Sequence, residues 1–312
     1  MRILVVGAGQ IGSRHMQGLA TVPEVAEVVA VDPSAESRAR AEGRWLDVPE
    51  HAGKRLVMTG SFDVQGPFDA AVVATNATGR LENLRRVTAL GVRHVLAEKL
   101  LFQSLDEWDA ALALARETDL EVYANYVYRY AAPWAALRHR LGGARFSMTV
   151  TAGDIGLATN LPHWLDLFEF VGGSALADLQ VEALATVYPS KRGGGLLECS
   201  GALGGVSATG SRIALRFSTG EAAPRCRIET DAGWIDLDET RGAIEGPLAD
   251  PDWRLETPMV SRITSRAIPE ILAGQSPLPD LGATAGMNRL MLRALGDALV
   301  DGFGPQTVVP IT

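Results

Sequence analysis

Two groups of residues in this chain have types and spacings suited to chemistry. The first is Gly7-Ala8-Gly9-Gln10-Ile11-Gly12, a G-x-G-x-x-G run between a β-rich apolar stretch, Ile3 to Val6, and a helical pattern opening at Ile11. In that setting Gly7 permits a tight turn, Gly9 lets the main chain approach a pyrophosphate, and Gly12 allows close helix packing, while the helix N-terminus attracts the anion. Gln10 and Ile11 complete the loop. Asp32 ends the next β-rich run twenty residues after Gly12. There a carboxylate accepts hydrogen bonds from adenosine ribose hydroxyls and repels a 2′-phosphate. Together they point to a dinucleotide, with NAD favoured over NADP; FAD shares the fingerprint and competes. Arg38, a helical turn or more past Asp32, reads as a solvated helix residue.

The second group is Glu98-Lys99. Lysine is scarce, occurring only as Lys54, Lys99 and Lys191. Lys99 follows a β-rich run, Val92 to Ala97, at the carboxyl edge of an open α/β sheet, where ligands bind. Lysine can lose its proton when desolvated or set beside a cation, whereas arginine cannot, so it suits proton transfer at an alcohol or carbonyl. On its own, the pair also fits a surface ion pair.

The elements that must position these groups follow from periodicity. Ile3 to Val6, Val28 to Val31, Leu56 to Met58, Ala70 to Ala74, Val92 to Ala97 and Glu121 to Ala124 are strand candidates. They alternate with helical spacing near Ile11 to Leu19, Ala35 to Arg44, Leu81 to Leu90 and Leu105 to Arg116. This is the pattern of βαβ units on a doubly wound parallel sheet, an N-terminal Rossmann domain over residues 1–125. From residue 126 the pattern changes. Arg145 to Thr151 alternates as a strand and Leu161 to Val171 reads as a helix ended by Gly172 and Gly173. Strand candidates follow at Val181 to Tyr188, Gly194 to Leu203, Ser211 to Ser218, Arg225 to Thr230 and Gly233 to Asp238, with helices near Met259 to Leu272 and Ala283 to Leu299. Residues 126–312 therefore read as an α+β domain with a mostly antiparallel open sheet, for substrate binding and oligomerisation, whose last helix can return to the first domain.

Composition bounds the partners. With 312 residues and 47% apolar content, two domains are the default. A formal net charge of -8 argues against nucleic acid, which a basic surface would bind. The apolar start is interrupted by the glycine loop and no apolar run reaches a membrane span, so a cytoplasmic protein with no membrane partner is expected. Cys199 and Cys226 are too few for a disulfide scaffold and lack metal-ligand spacing, so they read as reduced thiols and no metal is expected.

The ordered set of Gly7 to His15, Ala74-Thr75-Asn76, Glu98-Lys99, Asn125 with Arg129 and Pro133, and His163 with Asp166 resembles the Gfo/Idh/MocA oxidoreductase family over nearly the whole chain. That resemblance implies that Lys99 acts at a reacting hydroxyl and that His163 shares the acid/base work. It also implies cofactor contacts from Thr75, Asn76, Glu98 and Lys99, and substrate contacts from Asn125, Arg129, Thr159, Asn160 and Asp166. Three departures stand out. Leu100 replaces the usual proline, a peptide often cis in the family, so a local backbone difference is expected there. Thr159 stands four residues before His163, where many members carry an aspartate. Arg80 replaces a histidine, a change expected to affect substrate or nicotinamide contacts more than fold. Asp166, three residues after His163, shares its helical face and is suited to orient the imidazole.

Several side chains keep two readings. His15 can approach the cofactor or simply pack; Trp164 can stack on a sugar but fits a core better; Ser190-Lys191-Arg192 can meet a phosphate or carboxylate but reads more simply as a solvated turn. The function implied is hydride transfer between NAD and a secondary alcohol of a sugar, sugar nucleotide or cyclitol, by a homodimer or homotetramer acting on a small sugar-like substrate. The alternatives are a dinucleotide-binding regulator without turnover and an enzyme of a non-sugar carbonyl or imine.

Overall fold

The computed structural model describes residues 1–153, 155–220, 224–256 and 259–312. They form two compact units. The first comprises residues 1–102, 106–125 and 258–283, and the second residues 103–105, 126–257 and 284–312.

In the first unit β1 (Arg2–Val6), β2 (Glu27–Val31), β3 (Arg55–Thr59), β4 (Ala70–Val73), β5 (His94–Ala97) and β6 (Glu121–Ala124) make one parallel sheet in the order β3-β2-β1-β4-β5-β6. The central strands are apolar on both faces: Ile3, Leu4, Val5, Ala70, Ala71, Val72 and Val73 are all fully buried. A parallel sheet covered on both sides requires this, because its crossover helices occupy both faces. Those helices are α1 (Gly12–Ala20), α2 (Ala35–Leu46), α3 (Arg80–Ala89) and α4 (Leu105–Thr118). The strand order reverses between β1 and β4, the switch point at which open α/β sheets bind ligands beyond their carboxyl ends.

In the second unit α5 (Ala132–Leu141), with Pro133 in its first turn, precedes β7 (Ser147–Gly153) and α6 (Leu157–Gly172). Then come β8 (Leu176–Pro189), β9 (Leu197–Ser207), β10 (Arg212–Ser218), β11 (Arg225–Thr230), β12 (Gly233–Asp238) and β13 (Ala243–Glu245). The sheet runs β13-β12-β11-β7-β10-β9-β8, and only the β7–β10 pair is parallel. Met148, Val150, Leu203, Leu215 and Ile228 are buried from the sheet, as are Leu161, Leu165 and Phe168 from α6, which packs on β9. Gly173 ends α6 in the left-handed conformation at φ 61°, a glycine role. Sequence periodicity does not reveal α5 or the three-residue β13: α5 has hardly any amphipathic contrast, and β13 is too short to alternate. Cys199 and Cys226 are buried free thiols.

Two late helices complete the chain, α7 (Val260–Leu272) and α8 (Leu281–Leu299). The first unit contains α7, which lies directly on α1. Gly18 makes that approach possible, since a Cβ there would stand 2.2 Å from the Ser261 carbonyl oxygen. Backbone cannot yield to such an overlap cheaply. Gly18→Ala should therefore destabilise the protein by about 1–3 kcal/mol despite the better helix propensity of alanine, and urea unfolding monitored by circular dichroism measures it.

Candidate active site

The glycine loop is built by main-chain crowding. Gly7 has φ 90°, and a Cβ on it would sit 3.0 Å from the backbone of Ala74 and Thr75. A Cβ on Gly12 would overlap the Gly7 carbonyl oxygen at 1.8 Å. Gly9 differs, because its Cβ position meets nothing within 4 Å. The loop is thus closed beneath by Gly7 and Gly12 and open above Gly9, the arrangement a pyrophosphate needs. Asp32 supplies the second anchor. Its Oδ2 accepts from the Ala8 N–H at 2.7 Å and its Oδ1 from the Ser34 N–H at 2.8 Å. Each oxygen keeps acceptor capacity for a ribose hydroxyl.

A cleft of roughly 510 Å³ runs between these anchors, lined by Gly7, Gly9, Asp32, Thr75, Asn76 and Arg86 among others. Five of the expected cofactor residues therefore converge there, and the open glycine crest, the carboxylate and the cleft fit a dinucleotide. Gln10, Ile11, Gly12, Glu98 and Lys99 do not line this cleft. Gln10 is engaged elsewhere. Arg44 of α2 donates to its carbonyl at 3.1 Å and to its Oε1 at 3.0 Å, and to Ser13 Oγ at 2.6 Å, clamping the loop from outside. Arg38 donates to the Asp32 and Pro33 carbonyls at 2.6 and 3.0 Å, an anchored position where a solvated side chain was expected.

At the end of β5, Glu98 sits at the centre of a buried network. Its Oε1 accepts from Asn125 Nδ2 at 2.6 Å and lies 3.0 Å from His15 Nε2, while His15 Nδ1 lies 2.7 Å from Thr264 Oγ1 on α7. His15 is completely buried. Burial alone would raise the Glu98 carboxyl, but the His15 hydrogen bond and charge, the Asn125 hydrogen bond and the neighbouring Lys99 outweigh it and hold the group at about 2. Glu98 is consequently a carboxylate at any ordinary pH. Lys99 is 8% exposed, and its peptide bond to Leu100 is cis even though proline is absent. The backbone difference expected from Leu100 therefore does not extend to the peptide isomer. Arg80 does not reach outward: it is buried and donates to the carbonyls of Thr75, Glu98 and Leu100.

In the second unit α6 carries Thr159, Asn160, His163 and Asp166. The helix begins at Gly156 without a side-chain cap of its own. Glu198 of β9 caps it from outside, its Oε1 accepting from Ala158 N–H at 2.6 Å and its Oε2 from Thr159 N–H at 3.1 Å. A Cβ on Gly156 would strike the Glu198 carboxyl carbon at 1.8 Å, so glycine is required for that carboxylate to enter. A negative group here also complements the helix dipole. Thr159 Oγ1 donates to the Thr312 carbonyl at 3.1 Å and Asn160 Nδ2 to Gly156 O at 2.7 Å.

His163 is half-buried, with the rings of Tyr126 and Tyr128 at centroid distances of 6.0 and 5.7 Å. Asp166, expected beside the imidazole, is bound by Arg129: Nε reaches both carboxylate oxygens at 3.1 and 2.9 Å and a terminal nitrogen reaches Oδ1 at 2.7 Å. Burial pushes Asp166 up to about 6 against the pull of Arg129. Burial likewise raises Glu169 to about 7, helped by the Asp166 charge and opposed by the Leu176 N–H and Arg129. Trp164 is 1% exposed, a core side chain stacked near Tyr128.

Thr264 and Glu198 are neighbours of these residues that sequence inspection missed, and Arg80, expected to change ligand contacts, holds backbone carbonyls instead. Thr264 lies 249 residues from His15 in sequence, and a lone glutamate on a strand carries no capping signature. Among the described residues no group of three or more His, Cys, Asp or Glu side chains is placed to hold a metal, and no helix is long and apolar enough to cross a membrane.

Residues 1–126 match the family model described as an oxidoreductase family with an NAD-binding Rossmann fold. No curated protein sequence matches the chain significantly. Among solved structures, UDP-N-acetylglucosamine 3-dehydrogenase GnnA from Acidithiobacillus ferrooxidans is 18% identical with a TM-score of 0.70, covering 94% of this chain and 96% of that one. The WlbA dehydrogenase from Bordetella pertussis, in complex with NADH and UDP-GlcNAcA, is 16% identical with a TM-score of 0.70 over 100% and 98% of the two chains. An oxidoreductase from Agrobacterium radiobacter, in complex with NAD+, L-tartaric acid and magnesium, is 14% identical with a TM-score of 0.70 over 97% of each chain. At these identities the likeness establishes a shared two-part α/β fold.

Two outcomes follow from the geometry. Asp32→Ala should weaken NADH binding roughly ten- to a hundredfold, the worth of charged hydrogen bonds, and narrow the preference over NADPH, as read by fluorescence titration. Glu169 binds its proton more tightly in the folded state, so its contribution to stability is complete below pH 4.5 and is lost as the pH rises to about 7. Glu169→Gln should flatten this decline, on the order of 1–3 kcal/mol, in urea unfolding curves at pH 4.5 and 7.5.

Proposed function

We propose that this chain, whose residues 1–126 match the model of an oxidoreductase family with an NAD-binding Rossmann fold, is an NAD-dependent dehydrogenase of the Gfo/Idh/MocA type that oxidises or reduces a secondary alcohol or carbonyl of a sugar, with a sugar nucleotide as the favoured substrate class. The observation that carries the reading is the buried Lys99 after an ionised, doubly anchored Glu98 at the carboxyl edge of the NAD-binding sheet. Lysine at such a position can exchange a proton with a hydroxyl or carbonyl. Bound NAD supplies the acceptor or donor of the hydride.

The remaining roles belong to the chain. Gly7, Gly9, Asp32, Thr75 and Asn76 hold the dinucleotide, with Gln10, Ile11 and Gly12 shaping its loop and Glu98 fixing the strand end. Lys99 and His163 share the proton that leaves or joins the reacting oxygen, the aromatic rings around His163 restricting the imidazole. Substrate contacts are assigned to Asn125, Thr159 and Asn160, and to Arg129 and Asp166 acting as a pair. Residues 126–312 are assigned as the substrate-binding and oligomerisation region.

The preference for a sugar nucleotide rests on a cleft of roughly 520 Å³ at the start of α6, where Thr159, Asn160, Tyr188, Lys191 and Arg192 meet. Two cations beside hydroxyl and amide groups suit a diphosphate or carboxylate. UDP-N-acetylglucosamine 3-dehydrogenase GnnA and the WlbA dehydrogenase in complex with NADH and UDP-GlcNAcA share this fold and give that reading chemical precedent. Assays with NAD and a panel of UDP-N-acetylglucosamine, its uronic acid, myo-inositol and simple hexoses test it. Turnover should appear with a UDP-sugar and fall at least about a hundredfold in Lys99→Ala and His163→Ala. Wild-type rates in both variants would remove their assigned roles, and NAD binding without turnover of any panel member would favour a regulator. The long exposed strand β8 suits an interface between copies, so light scattering should report a homodimer or homotetramer at micromolar concentration.

A further inference from the structure

The chain carries a formal net charge of -8, and a dinucleotide is an anion, so the field of the whole molecule opposes its approach. Around the glycine loop the local charge is reversed. Arg44 of α2 donates to the Gln10 carbonyl at 3.1 Å, to Gln10 Oε1 at 3.0 Å and to Ser13 Oγ at 2.6 Å. All three acceptors are neutral, so the guanidinium keeps its positive charge. Arg14, in the first turn of α1, donates to Gln17 Oε1 at 2.7 Å, again a neutral acceptor.

These cations lie close enough to repel one another. Burial, then the charges of Arg14 and Arg40, hold Arg44 below the usual arginine range. Arg40 is taken up by Glu36 at 2.6 Å. Glu42, the other carboxylate of α2, stands two residues from Arg40 and from Arg44, a spacing at which helical side chains do not face each other. The one carboxylate that lines the dinucleotide cleft is Asp32, and the cation that lines it, Arg86, is paired with Glu82 at 3.1 Å. Gln10 follows Gly9, the open crest of the loop, and successive Cα atoms are about 3.8 Å apart. A guanidinium bonded to Gln10 therefore lies on the order of one Debye length, about 8 Å at physiological salt, from an anion seated over Gly9.

We propose that Arg44 and Arg14 are positioning residues for the pyrophosphate of the dinucleotide: Arg44 pins the loop at Gln10 from outside the cleft, and the pair supplies the positive field that draws the anion onto Gly9. The inference rests on the reading that the glycine loop holds the pyrophosphate. It adds two side chains that do not line the cleft and act through the loop and through charge. It also gives a physical sense to arginines gathered beside this loop in an acidic chain: they offset both the overall charge and the Asp32 carboxylate.

The test needs no sugar substrate. NADH, ADP-ribose and adenosine share the adenosine group, and of the three adenosine alone lacks the diphosphate. NADH is titrated by fluorescence and displaced by the other two, at low and at high salt. Arg14→Gln, an exposed position bonded to Gln17, should weaken NADH and ADP-ribose about threefold at low salt, and the double variant Arg14→Gln, Arg44→Gln about tenfold or more, with adenosine held within about twofold. Wild-type affinity for NADH should fall as salt is raised, and the double variant should lose most of that dependence, since screening acts on charge. Arg44→Lys, which keeps the charge, should retain it. If the double variant does not fold, Arg14→Gln carries the comparison. Equal weakening of ADP-ribose and adenosine, unchanged ADP-ribose affinity, or a salt dependence like that of the wild type overturns the proposal. Gly9→Val isolates the reading beneath it: a Cβ there meets nothing within 4 Å, so the variant should fold and lose NADH. NADH affinity that survives Gly9→Val removes the loop reading, whereas its loss beside unchanged arginine variants removes only the part assigned to Arg14 and Arg44.

Discussion

A carboxylate removed from water has to be surrounded by donors, and Glu98 imposes that requirement on the first unit. Its single oxygen Oε1 gathers an imidazole from α1 and an amide from the residue after β6. The imidazole is in turn tied to a threonine of α7. Four pieces of chain that are remote in sequence are thereby fixed around one strand end. Truncating a partner of a buried charge leaves the charge uncompensated, which costs far more than a surface ion pair is worth. The network therefore fixes the residue next to Lys99 at the end of β5.

The second unit solves a related problem on α6. A helix of sixteen residues that starts at glycine has free N–H groups at its first turn. Glu198 satisfies two of them from a neighbouring strand, and the glycine at 156 leaves the space in which its carboxylate lies. Further along the same helix Asp166 and Arg129 form a fork in which each carboxylate oxygen is met by a guanidinium donor. The imidazole of His163 sits between these two fixed points, with aromatic edges on its flanks. Rigid support of this kind suits the proton-transferring role proposed for His163.

Much of this was legible in the residues. The glycine loop, Asp32 and the strand–helix alternation specify the parallel sheet because each is a local signal: a turn that only glycine can make, or apolar runs covered on both faces. The antiparallel sheet was legible from alternation alone, although α5 escaped because it is short and its hydropathy contrast is weak, even though Pro133, Trp134, Leu137 and Leu141 are buried along one face. The long-range partners were not legible. Nothing near His15 announces Thr264, and nothing near Gly156 announces Glu198, because hydrogen bonds that span 249 and 40 residues leave no local period. Arg80 shows the limit from the other side. A substitution within a familiar pattern suggests a changed ligand contact, whereas the side chain turns inward to the backbone.

The placement of α7 has a consequence for biosynthesis. The first unit draws on residues 258–283, which follow most of the second unit in the chain. A nascent chain that has emerged as far as β6 possesses every strand of the parallel sheet, yet it lacks the helix that meets α1 and the hydroxyl that meets His15. The ribosome must deliver residues 258–283 before the dinucleotide-binding unit is finished. Its maturation is therefore late by construction, and a fragment cut after the sheet ends before the helix that packs against Gly18 has been made.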